Sequence, residues 1–183
     1  MHRLHPAEIV FGVALASACA CARSIRPDSS TSLSPCDAST ADTAGWREAS
    51  LPEAPIGMKV PSTLVLKSDW APHGDPSFHH QSWSADSTLL LMITRSHGPT
   101  NAVVRPRATV CQVSNRGLEG TVQILRMSDV RTSRAVYVTF ATFALGANDE
   151  VKLDAMAQSE ASQQRVLAII ESVYRKGETN DHR

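Results

Sequence analysis

"RAVYVTFATFALGANDEVKLDAMAQSEASQQRVLAIIESVYRKG" runs from Arg134 to Gly177, and its reading decides the fold. The first part alternates with the period of a strand. Val136, Val138, Phe140 and Thr142 fall on one face, and Tyr137, Thr139, Ala141 and Phe143 on the other. "GAND" then supplies turn chemistry. The run at 150–158 sets Val151, Leu153, Ala155 and Ala157 against Lys152, Asp154 and Met156. A helix starting at Asp149 is the rival reading, but the clean alternation favours a second strand. After it the period changes. Ser159 is a candidate N-cap, Val166, Ile169, Ile170 and Val173 fall at helical spacing, and Lys176 with Gly177 closes the segment. Two antiparallel strands leading into an amphipathic helix predict a sheet with that helix packed on one face.

Upstream segments extend the sheet. "STLVLKS" (62–68) follows Pro61, and "STLLLMITR" (87–95) is apolar through its centre. "ATVCQVS" (108–114) and "TVQILRM" (121–127) flank the turn residues Asn115, Gly117 and Gly120. The expected architecture is α+β: a mostly antiparallel sheet of about six strands against a C-terminal helix, with the N-terminal segment as candidate cover for the other face.

The start of the chain reads as an export signal. Arg3 precedes the apolar stretch Ile9–Ala18, which at about ten residues is half the roughly 20 needed to span a bilayer. Small residues follow, and "LASAC" resembles a lipobox ending at Cys19, the candidate lipidated residue. The match is imperfect because Ala16 stands where most lipoboxes have leucine; ordinary cleavage after Ala18, Ala20 or Ala22 competes. The expected organisation is a signal region at 1–22, a Ser-, Thr- and Pro-rich disordered tether at 23–45, one domain at 46–176 and a polar tail at 177–183. Export would allow Cys36 and Cys111 to pair, with two unpaired thiols as the alternative.

Element order resembles the PsbP/Mog1-type sandwich. The residues that carry the likeness are Leu51 and Pro52, Trp83, Cys111 before the turn at Gly117, and the Ala168–Ile170, Ser172, Val173 segment. The resemblance implies a binding or accessory module, as in photosystem accessory proteins, transport factors and bacterial lipoproteins. It carries over no catalytic set.

Charge excludes more than it identifies. Eighteen basic residues balance eighteen acidic ones, which gives no electrostatic reason to expect nucleic acid as a partner. No nucleophile elbow or phosphate-cradling loop is present. The densest cluster of functional side chains is "SDWAPHGDPSFHHQSW" (68–83), read as a connection between two strands. Trp70, His73, Phe78, His79, His80 and Trp83 are its binding-loop candidates, with Trp83 pinning it to the core and the histidines near solvent. His73, Asp75, His79 and His80 are ligand types for zinc, but H-x5-H-H matches no established zinc spacing. The expectation is a non-catalytic envelope module without cofactor, its partners the membrane through a lipid anchor and another envelope protein. The alternative is a metal carrier or metal-dependent hydrolase centred on His73, His79 and His80.

Overall fold

A computed structural model describes residues 36–38, 41–51, 54–71, 78–85, 88–97 and 103–177. The expected signal region, Cys19, most of the tether, His73 and the tail beyond Gly177 lie outside the described residues. The chain divides into units 1–31 and 32–183, and every described residue belongs to the second.

Alternation builds a seven-stranded sheet. β3 (Val65–Trp70), β4 (Phe78–Ala85) and β5 (Leu89–His97) form one meander. A second consists of β6 (Thr109–Asn115), β7 (Leu118–Ser128), β8 (Ala135–Gly146) and β9 (Asp149–Ala157). They join where β5 pairs antiparallel with β9, which gives the order β3-β4-β5-β9-β8-β7-β6. The rival helix at Asp149 is therefore a strand.

Among the described residues ten strands form, seven of them in the large sheet that was expected to have about six. The unforeseen ones are short: β1 (Arg47–Ala49), β2 (Ile56–Val60) and β10 (Tyr174–Arg175) make a separate sheet in the order β1-β2-β10. Helix α1 (Glu160–Glu171) starts as its sequence requires, with Ser159 accepting a hydrogen bond from the Ser162 amide at 3.1 Å. It ends before the anticipated stop at Lys176 and Gly177. The Ser172 hydroxyl donates to the Ile169 carbonyl at 2.7 Å and accepts from the Lys59 amide at 2.8 Å, and the chain then pairs with β2.

One face of the large sheet is closed. Leu91, Ile93, Val151, Leu153, Ala141, Phe143 and Val122 are buried there, as are Val166, Ile169, Ile170 and Val173 of the helix segment and Ile56, Met58 and Val60 of β2. Full burial of such an aliphatic side chain contributes about 2 kcal/mol. The buried Thr139 hydroxyl accepts from Gln163 Nε2 at 2.9 Å, so the polar pair inside this layer is satisfied.

The ordered domain starts before Trp46. Cys36 is bonded to Cys111 and is 6% exposed, and the Ala38 amide donates to Glu171 at 2.7 Å. Part of the segment read as tether is thus held to the domain, because a disulfide and a long-range hydrogen bond compensate its polar composition. Arg47 of β1 lies over the Trp83 ring at 5.3 Å, which puts this N-terminal portion on the helix side of the sheet. The described part of the N-terminal segment thus lies on that side and not on the face it was a candidate to cover.

Candidate binding face and hairpin end

Most of the stretch read as a loop is a β-hairpin. β3 continues to Trp70 and β4 begins at Phe78, so His79 and His80 belong to a strand. Adjacent strand residues point to opposite faces, and the candidates divide accordingly. Register places Trp70, His80 and Thr94 in one cross-strand row on the open face. There His80 Nδ1 lies 3.0 Å from Thr94 Oγ1. Phe78 meets Trp70 edge-on, with ring centroids 5.7 Å apart and planes at 71°, and Trp70 is 56% exposed.

His79 lies on the helix side in a polar relay. His79 Nε2 is 2.5 Å from Asp69 Oδ1, Gln81 Nε2 donates to Asp69 Oδ2 at 3.3 Å, and Trp83 Nε1 donates to Gln81 Oε1 at 3.2 Å. The expectation that both histidines face solvent is corrected for His79, whose side chain is 12% exposed. Trp83 is buried in the core. Because His79 and His80 project from opposite faces, they do not converge on one ion. Among the described residues, no three His, Cys, Asp or Glu side chains form a group suited to a metal.

At the same sheet end, Arg95 grips Asp149 with two bonds, Nε to Oδ1 at 3.1 Å and Nη2 to Oδ2 at 2.8 Å. His97 Nε2 is 3.6 Å from that carboxylate. The hydrogen bond from Arg95 holds the Asp149 carboxyl below its ordinary pKa, although burial opposes the shift. Asp149, the last residue of the turn stretch "GAND", is thus a structural anion.

The open face runs inward from Trp70. One row continues through Thr94, Lys152, Thr142, Thr121 and Gln112; the next carries Met92, Asp154, Phe140 and Gln123. Lys152 pairs with buried Glu150. The segment at 103–105 is fastened to this face: the Arg105 amide donates to Gln123 Oε1 at 2.9 Å, and Gln123 Nε2 donates to the Val103 carbonyl at 3.2 Å. The Arg105 guanidinium lies 3.4 Å from the Phe140 ring centroid. Burial pushes the Asp154 carboxyl up from its ordinary value, opposed by Arg105, Lys152 and His80. At the far end, Met127, Val136, Val138 and Met156 line an apolar cleft of about 520 Å³ with Arg134 and Gln158.

Sequence reasoning located the aromatic and histidine candidates but missed Asp69, Gln81, Arg95 and Asp154 as members of these networks. Their signal is cross-strand register, which appears only once β4 is known to start at Phe78.

No family model and no curated protein matches the chain. Among solved structures, a protein from Bacteroides thetaiotaomicron VPI-5482 aligns at 12% identity and a TM-score of 0.49, over 72% of this chain and 49% of its own. This chain therefore spans about half the length of that protein. LpqN of Mycobacterium tuberculosis, described as involved in cell envelope biogenesis, aligns at 12% identity and a TM-score of 0.42, over 72% of this chain and 92% of its own.

Proposed function

We propose that the chain is an exported, lipid-anchored, non-catalytic binding module of the cell envelope that presents the open face of its large sheet to a partner. The observation that carries this reading is the asymmetry of the sheet. The helix and the small sheet close one side, while the other keeps Trp70 more than half exposed beside Phe78 and a row of polar side chains. Rigid sheets that present aromatic and polar groups in this way suit recognition. Export is supported by the signal-like start and by the Cys36–Cys111 bond, since disulfides persist in oxidising compartments. The sequence resemblance to the PsbP/Mog1 type favours an accessory role.

Photo-crosslinking in whole cells tests the binding reading. A crosslinker at position 70 is expected to capture a discrete envelope protein, while one at Arg165, exposed on the helix, captures none. Equal capture from both positions would refute use of the open face. Labelled-palmitate incorporation that disappears in Cys19→Ala is the expected sign of the anchor; label persisting at the N-terminus of that variant would refute it. Stoichiometric zinc in the purified protein, lost on His73→Ala/His79→Ala substitution, would favour the metal reading instead.

A further inference from the structure

The β7–β8 hairpin overhangs its neighbours. The last rung between β9 and β8 is Ala157↔Tyr137, and the last between β6 and β7 is Thr109↔Ile124. β7 and β8 stay paired past both, through Met127↔Val136 and Ser128↔Ala135. The turn beyond is held by its own bonds. The Asp129 amide donates to the Arg134 carbonyl at 2.9 Å, the Ser133 amide to the Asp129 carbonyl at 2.8 Å, and the Arg131 amide to Asp129 Oδ1 at 2.7 Å. A projecting, internally braced turn presents its side chains without a large ordering cost.

What it presents is unusual for a water-facing turn. Val130 is 97% exposed and Met127 54% exposed. Met127 also lines the apolar cleft, so the hydrophobic surface continues from the tip onto the sheet. Arg126, Arg131 and Arg134 are all exposed around it. Asp129 is the one acid between 126 and 134, and its carboxylate is occupied within the turn by the Arg131 amide. An apolar apex ringed by arginines matches a bilayer carrying anionic headgroups: the valine enters the interface and the guanidiniums meet phosphates.

We propose that this hairpin tip is a second, peripheral membrane contact, in which Val130 and Met127 enter the interface of an anionic bilayer and Arg126, Arg131 and Arg134 bind its headgroups. The inference rests on the anchored reading above, which keeps the domain near a bilayer; an extended chain from Cys19 to Cys36 spans at most about 60 Å.

Co-sedimentation of the chain beginning at Ala20, which lacks both the lipid and the apolar stretch Ile9–Ala18, tests the tip by itself, with vesicles of phosphatidylcholine alone or mixed equally with phosphatidylglycerol. Binding is expected to the mixed vesicles and to fall as salt rises. Adding Arg131→Glu/Arg134→Glu is expected to weaken partition by about 30-fold or more, and Val130→Asp by about tenfold. Both are surface changes, so these proteins should unfold at the unsubstituted midpoint. Equal binding by all variants, equal binding to both vesicles, or no binding to the mixed vesicles would each overturn the proposal. Palmitate labelling of the unsubstituted chain reports the anchor separately, so failure of the tip and failure of the anchor are distinguishable.

Discussion

Asp149 and Asp154 share β9 but respond to acid with opposite sign. Arg95 lowers the folded pKa of Asp149, so its stabilisation is present above the ordinary carboxylate value and is lost as pH falls through the depressed one. Burial raises that of Asp154, so its ionisation costs stability above the raised value and the cost disappears as pH falls below the unfolded one. Denaturant titrations at several pH values should separate them. Asp149→Asn is expected to lower stability at neutral pH by about 0.5–1 kcal/mol, allowing for solvent screening, with the deficit vanishing in acid. Asp154→Asn is expected to raise stability at neutral pH, with the gain vanishing in acid. Gly120 poses a steric question instead. A Cβ there would meet Phe143 Cδ1 at 2.7 Å and the Thr142 carbonyl oxygen at 2.9 Å, and Phe143 is fully buried. Gly120→Ala should therefore cost about 1–3 kcal/mol in equilibrium unfolding.

Among elements, legibility followed the strength of the period. β8 and β9 alternate cleanly because one face is buried, and α1 announces itself by its cap and apolar stripe. Ser159→Ala should cost about 1 kcal/mol, read from the unfolding midpoint, because the Ser162 amide loses its acceptor. β4 hid itself: Gln81 is a buried polar residue and His79, His80, Ser82 and Ser84 flank it, so composition imitates a loop. β1, β2 and β10 are too short to show a period, and their pairing depends on chain returning from the helix. The candidate site was legible as residue types for the same reason that its geometry was not. Asp69 reaches His79 through a pairing whose register shifts between Leu66 and Ser68, which no local spacing encodes.

For the whole molecule, the Cys36–Cys111 bond couples the N-terminal segment to the outermost strand of the sheet, across a separation of 75 residues. In the loop-entropy model such a link destabilises the unfolded chain by about 4 kcal/mol. Among the described residues before Trp46 only Cys36 and, in part, Ala38 join the core, so the bond and the Ala38–Glu171 hydrogen bond hold this part of the chain on the domain. Guanidinium unfolding with and without dithiothreitol measures this directly. Reductant should lower stability by up to about 4 kcal/mol, while Cys36→Ser/Cys111→Ser should unfold identically in both conditions. Limited proteolysis should cut the reduced protein before Trp46 while leaving the sheet intact. If reductant leaves the unsubstituted protein's curve unmoved, the bond does not restrain the unfolded chain. The domain's dependence on an oxidising compartment, and with it one support for export, would then fall.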